Sequence, residues 1–130
     1  MPVSYSIDPR TSVIHTRLTG AMDADDVRAH FDQLLADPAC PPRLFVLMDA
    51  MKLGSIPTTA MIQLTRDLVA KGSKRVKFEA VAVAASDPAH FGMFRVGQVL
   101  LESVFGPTQV FRDLASARAW LDSQRVVRKA

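Results

Sequence analysis

The stretch Leu44-Phe45-Val46-Leu47-Met48-Asp49 decides the fold, together with a second run, Ala80-Val81-Ala82-Val83-Ala84. Neither alternates polar with apolar residues, and an unbroken apolar run of strand length marks a strand buried on both faces, as in the middle of a parallel sheet. Asp49 terminates the first run, and the second belongs to a strand over Phe78 to Ala85 whose alanines imply close contact with a neighbouring helix. Between the two, Met51 to Pro57 reads as a loop. A helix follows over about Thr58 to Lys71, with Met61, Leu64 and Leu68 inward, Ser55 or Thr58 as its cap and Gly72 as its stop.

Towards the N-terminus, Ser4 to Asp8 is a short strand, Pro9 to Ser12 a turn, and Val13 to Thr19 an alternating strand with Ile14, Thr16 and Leu18 opposed to Val13, His15 and Arg17. These two make an antiparallel hairpin with His15 on its wet side. Gly20 ends the hairpin, and Asp23 caps a helix running to about Asp37, with Val27, Phe31, Leu34 and Leu35 on its buried face. Asp26 and His30, four apart on the opposite face, read as ordinary helix decoration. Pro38, Pro41 and Pro42 close that helix.

Towards the C-terminus, Asp87 caps a third helix that starts at Pro88, where a missing amide costs least, and continues to about Phe105. Gly106 and Pro107 punctuate, Gln109 to Phe111 forms a last strand, and Asp113 caps a fourth helix carrying Leu114, Ala117, Trp120 and Leu121, with a frayed tail expected from Ser123. The order β-β-α-β-α-β-α-β-α predicts an α/β fold with a small, mainly parallel mixed sheet of four to five strands and about four flanking helices.

The length of 130 residues leaves room for one domain, here residues 1–130 with a core over about 4–122. Hydrophobic residues at 48% and charged residues at 22% exclude disorder and coiled coil. The net charge of +3 is matched by Arg125, Arg128 and Lys129 alone, and the internal run Lys71, Lys74, Arg75 and Lys77 reads as a solvated linker face, so no nucleic acid is expected. Cys40 is the single cysteine, which excludes an intrachain disulfide and a cysteine-based zinc site and fits a reducing cytoplasm. Polar Ser4, Tyr5, Ser6 and Asp8 do not read as an export signal, and no apolar run reaches the ~18 to 20 residues of a membrane span.

Catalytic signatures are missing: no Gly-rich phosphate loop, no nucleophile elbow, and no histidine with a convincing nucleophile and third partner. No cofactor or metal is expected. The carboxyl ends of parallel strands are the default ligand edge, which groups Asp49, Lys52, Ser55, Thr58 and Thr59 beside Ser86, Asp87 and His90. An enzyme built on Asp49 and His90 is the weakest of the readings. The third helix stands out, because Arg95, Gln98 and Glu102 form one narrow polar strip while Phe91, Met93, Phe94, Leu101 and Phe105 are among the apolar residues around the rest. One sheet cannot cover all of that, which leaves burial between neighbours, a homodimer face, or an apolar ligand or lipid held beneath the helix against Ala82.

The element order, the Arg17-Leu18-Thr19-Gly20 and Leu47-Met48-Asp49 strand ends, and Val110-Phe111-Arg112-Asp113 followed by Ala117 and Trp120-Leu121 resemble the SpoIIAA-like branch of the STAS superfamily. That resemblance covers about residues 4 to 122 and implies a stand-alone bacterial domain similar to anti-sigma-factor antagonists and to the cytoplasmic domains of sulfate transporters. It implies a non-enzymatic protein-interaction or regulatory module whose partner meets the start of the second helix. Antagonists carry an Asp-Ser-x-Gly-type phosphoacceptor there. The matching Gly54-Ser55-Ile56-Pro57-Thr58-Thr59 lacks it and offers Ser55, Thr58 or Thr59 instead. The branch is also similar in fold to Sec14-type (CRAL-TRIO) lipid-binding domains, which suits a carrier or sensor of a lipid under the third helix.

Overall fold

Strand order in the sheet follows chain order. The structure, a computed structural model, describes residues 2–129. Its elements are β1 (Val3–Asp8), β2 (Val13–Gly20), α1 (Ala24–Ala36), β3 (Arg43–Leu53), α2 (Thr59–Lys71), β4 (Lys77–Ala84), α3 (Pro88–Phe105), β5 (Thr108–Phe111) and α4 (Leu114–Lys129). The five strands lie in the order β1-β2-β3-β4-β5, with β1 antiparallel to β2 and every other pair parallel. Right-handed crossovers that all step in one direction must place their helices on one side. The larger buried cluster accordingly joins α1, α2 and α3 to one face of the sheet, through Ile14, Leu18, Val27, Leu34, Val81 and Val83 among others. α4 follows the last strand and covers the opposite face, where its backbone approaches β3, β4 and β5. Since strand order never reverses, the sheet has no switch-point crevice of the usual open α/β kind.

Capping residues set the helix starts. Asp23 and Asp26 form a reciprocal capping box on α1, Thr58 accepts from the Met61 amide on α2, and Asp87 accepts from the Ala89 and His90 amides on α3. Asp113 accepts from the Ser116 amide at 2.7 Å on α4. Of the two caps expected for α2, Thr58 is the one used. α4 continues to Lys129, beyond the point where fraying was expected. Arg125, which donates to the Thr11 carbonyl at 3.3 Å, ties the added turns to the β1–β2 turn.

Two irregularities rephase the sheet. Leu44 pairs with Phe78 but Phe45 with Ala80, so Glu79 is the extra residue of a bulge in β4. Its carboxylate is buried and meets Arg43 at 3.0 Å. A second shift lies between Arg17, which pairs with Asp49, and Thr19, which pairs with Lys52. Asp49 therefore does not end its strand, as expected, but sits within β3 just before the bulge.

The alanines of β4 are also placed otherwise than expected. Strand alternation sends Ala80, Ala82 and Ala84 to the α4 face, where they are fully buried with Ala117 and Leu121. Small residues do admit a helix close to the sheet there, but the helix is α4. Ala82 therefore lines nothing under α3, and Val81 and Val83 face that side instead. On α2, Met61, Leu64 and Leu68 pack against the core as expected, while Ile62 and Val69 are more deeply buried.

Candidate functional site

Three places gather the residues singled out by the sequence, and the fold keeps them apart. The first is the loop before α2. Gly54 donates to the Gly20 carbonyl at 2.7 Å, and a Cβ on Gly54 would lie 3.2 Å from the Gly20 backbone, so the loop is seated against the end of β2. The Ser55 hydroxyl oxygen accepts from the Met22 amide at 3.1 Å. Between these ties and the Thr58 cap, Ile56 is 54% exposed. Ser55 and Thr58 thus spend their hydroxyl oxygens on backbone amides, whereas the exposed Thr59 makes no side-chain hydrogen bond among the described residues.

The second place is an apolar cavity of about 110 Å³ beneath α3. Its origin is architectural: α2 keeps its backbone close to α1 and α3 but to no strand, so side chains alone must fill the space below it. Phe94, Leu101 and Phe105 of α3 line it with Val81 and Val83 of β4 and Met61 of α2. Gln98 also lines it, and the Gln98 Oε1 is buried with no hydrogen-bond partner among the described residues. His30 belongs here too, contrary to its expected place on the wet side of α1. Its ring meets Tyr5 and Phe31 edge-on, with centroids 5.6 and 5.1 Å away. Burial pushes its pKa down to about 4, so it is neutral at ordinary pH. Tyr5 donates to the Asp37 carboxylate at 2.6 Å, and burial followed by that bond pushes its phenol up to about 12.

The apolar residues of α3 divide differently from expectation. Phe105 is buried edge-on against Phe78, at 5.0 Å between centroids. Phe91 is half-buried beneath Arg112, whose guanidinium lies 4.4 Å from the ring centroid. Met93 and Phe94 are likewise half-buried. The wet side of α3 is formed instead by Val96, Val99 and Leu100, with Val99 78% exposed. Gly97 allows α3 to approach α2, since a Cβ there would meet Ile62 Cδ1 at 3.2 Å.

The third place is a polar cleft of about 320 Å³ on the other face of the sheet, lined by Ser4, Ser6, His15, Arg17 and Asp49 with Leu114 and Arg118 of α4 as its wall. It exists because α4 covers only β3, β4 and β5. Register then aligns the lining in two rows across the strands, Ser4–Arg17–Asp49 and Ser6–His15–Leu47. The Asp49 carboxylate accepts from the Met51 amide at 3.1 Å through one oxygen and faces Arg17 Nε at 3.9 Å through the other. Asp49 lines the cleft, whereas His90, Ser55, Thr58 and Thr59 line neither the cleft nor the cavity under α3. The edge cluster expected from the sequence is thus not gathered in either of these two cavities. Sequence reading missed Ser4, Ser6, Arg17 and Arg118 as a group. The signal was present in the strands, where polar residues fall on one shared face of the hairpin.

Among the described residues, no group of three or more His, Cys, Asp or Glu is placed to hold a metal ion, and no helix is long and apolar enough to cross a membrane. The sequence model of the SpoIIAA-like family matches residues 13–122. A solved structure, of an uncharacterized DUF3478-family protein with a SpoIIAA-like fold from Shewanella loihica PV-4, superimposes with a TM-score of 0.59 at 17% identity, covering 92% of this chain and 91% of that one. At that identity the likeness speaks for the fold. No curated protein matches the chain.

Proposed function

The chain belongs to the SpoIIAA-like family, and from that premise we propose that it is a non-enzymatic, STAS-like protein-interaction or regulatory module of the bacterial cytoplasm. Its partner docks on the loop before α2. The observation that carries this reading is Ile56, held more than half exposed between the Ser55 tie to the Met22 amide and the Thr58 cap. A loop already fixed loses little entropy on binding, and an apolar side chain presented from it gains by being covered. Asp49, by contrast, lines the cleft on the other face of the sheet. In a phosphorylation-controlled version Thr59 is the most available acceptor, followed by Thr58 and Ser55. A phosphate at that helix start brings about −1.5 to −2 charges where the helix dipole accommodates them and an acidic partner is repelled. A photocrosslinking residue placed at Ile56 in cells is expected to give one discrete protein adduct, and one placed at Asp67 on the outer side of α2 none. Equal patterns from both positions would reject the docking surface. Phosphate absent from Ser55, Thr58 and Thr59 after kinase treatment would remove the phospho-switch version alone.

A second reading, as a carrier or sensor of a lipid or other apolar small molecule, is favoured by the cavity under α3 and by the partnerless Gln98 oxygen at its wall. At about 110 Å³ it falls below the ~300 Å³ of ordinary ligand pockets and nearer the ~150 Å³ that accepts benzene. A long acyl chain would require α3 to lift, and the Pro88 and Gly106 ends of that helix, with Gly106 at φ 73°, are the places for a hinge. Mass spectrometry of lipids retained by the native protein, and by Val83→Leu with its filled cavity, tests it. A homodimer through Val96, Val99 and Leu100 is the accompanying assembly, and a monomer in sedimentation at micromolar concentration would dismiss it.

A further inference from the structure

We propose that the cleft between α4 and the bare β1–β2 half of the sheet is a binding site for a small organic oxyanion, a carboxylate or phosphoryl group on a molecule of metabolite size. This inference does not depend on the loop before α2 or on the cavity under α3, which lies on the opposite face of the sheet. Four observations converge on it.

The first is shape. The cleft offers about 320 Å³, at the lower end of the ~300 to 1,000 Å³ typical of small-molecule pockets. The second is its donor inventory. Arg17 and Arg118 bring guanidinium groups, Ser4 and Ser6 bring hydroxyls and His15 an imidazole, against the single carboxylate of Asp49. That carboxylate is already engaged by the Met51 amide and by Arg17. Arg118 has no carboxylate or hydrogen-bond partner among the described residues, so one full positive charge faces the cleft uncompensated. Planar guanidinium groups suit carboxylate and phosphate oxygens, which they bind through paired, charge-assisted hydrogen bonds.

The third observation is how the lining is fixed. The rows Ser4–Arg17–Asp49 and Ser6–His15–Leu47 are set by strand register rather than by loops, so the polar groups of three strands share one face of the sheet. The fourth is the bulge that follows Asp49 in β3. Bulges are uncommon between parallel strands and concentrate beside functional sites, where they redirect groups. Within the bulge the Met51 amide donates to Asp49 Oδ1 at 3.1 Å, and Asp49 Oδ2 faces Arg17 Nε at 3.9 Å. The apolar side of the cleft, Leu47 and Leu114, is suited to the carbon skeleton that carries the anion.

The test is a titration of the ¹⁵N-labelled native chain with succinate and, separately, with inorganic phosphate, at constant ionic strength. The expected result is saturable amide shifts confined to residues 4–6, 15–17 and 114–118. Arg118→Gln is expected to weaken binding about tenfold or more, as loss of a charge-assisted contact does. Arg66→Gln, an exposed arginine on α2, is expected to leave it unchanged. Arg17→Gln provides a second variant on another element, should Arg118→Gln disturb α4. Tighter binding of succinate assigns a carboxylate ligand, and tighter binding of phosphate a phosphoryl one. Shifts that do not saturate with either probe, shifts spread evenly over basic residues, or equal weakening by Arg66→Gln would overturn the proposal.

Discussion

Three helices cover one face of the sheet and a single helix covers the other, and the two faces differ in what they leave open. Beneath α1, α2 and α3 the lining is apolar and the remaining space is small, about 110 Å³. Beneath α4 the core is narrow, built from Ala80, Ala82, Ala84, Ala117 and Leu121 with Val13, Phe45 and Leu47. Beside it the hairpin presents serines, a histidine and an arginine to an open cleft. The asymmetry follows from connectivity. Same-direction crossovers load one face with helices, and the one helix left over is too narrow to span five strands. The larger buried apolar cluster is thus on the first face, while the second leaves polar surface beside α4.

The largest effect that would test this division is expected from Leu34→Ala. Leu34 is 1% exposed at the centre of the three-helix core, and removing a buried leucine typically costs about 2 to 5 kcal/mol through lost burial and the cavity left behind. Urea denaturation should show it as a shifted midpoint with an unchanged slope. A cost under ~1 kcal/mol would mean that the face collapses easily around the loss, and the contrast between faces would fail. Next comes Ala82→Leu, which adds three carbons between β4 and α4 where Ala82 and Ala117 are both 0% exposed. Overpacking of this kind costs about 1 to 3 kcal/mol. A neutral outcome would show that α4 is free to move away from the sheet, making the second face looser than its burial indicates.

These positions also separate what was legible in the sequence from what was not. The elements themselves were legible, because Asp23, Asp87, Pro88 and Gly106 carry local capping chemistry that does not depend on tertiary context. The SpoIIAA-like fold was legible through resemblance, carried by the element order and by stretches such as Arg17-Leu18-Thr19-Gly20 and Leu47-Met48-Asp49, and the family match over residues 13–122 agrees with it. Which helix meets Ala82 was not, since a strand apolar on both faces gives no sign of which cover lies on which side. Nor were the bulges at Glu79 and after Asp49, which arise from register between distant strands and displaced the expected end of β3. His30 shares a helix face with Asp26 by periodicity, yet the Tyr5 ring of β1 reaches over and buries it. The cleft joins Ser4 to Arg118, a pairing created only when α4 returns across the sheet.

His30 supplies a pH test of the first face. Its pKa lies near 4 in the folded chain, below the ordinary 6.5, because burial disfavours the charged ring. Between those values the unfolded chain holds the proton and the folded chain does not. Stability therefore rises with pH across this window and is lost as the pH falls through it. The lowered carboxylates Asp37 and Asp113 act at more acidic pH, from their ordinary 3.8 downwards. His30→Phe keeps an aromatic edge against Tyr5 and Phe31 while removing the titration. Thermal midpoints measured from pH 7 to 4 should fall for the native chain and stay nearly level for the variant until the carboxylates protonate. An equal fall in both would place the acid-sensitive group outside the three-helix face.

The smallest effect is expected on the second face, and there smallness is itself the point. Ser4 and Ser6 are exposed on the edge strand, and Arg118 is exposed on the first turns of α4 with no partner among the described residues. None fills core space. If these residues serve recognition rather than folding, the combined variant Ser4→Ala, Ser6→Ala, Arg118→Gln should shift stability by no more than about 0.5 kcal/mol, as surface changes away from caps and cores do. Like-charge repulsion between Arg17 and Arg118 across the cleft would be relieved at the same time, so a slight gain agrees with the expectation. Urea midpoints of the variant and the native chain, followed through Trp120 fluorescence at low and high salt, decide the matter. A loss well above that size would mean that the polar rows brace α4 against the hairpin, and the second face would then owe its polar residues to folding after all.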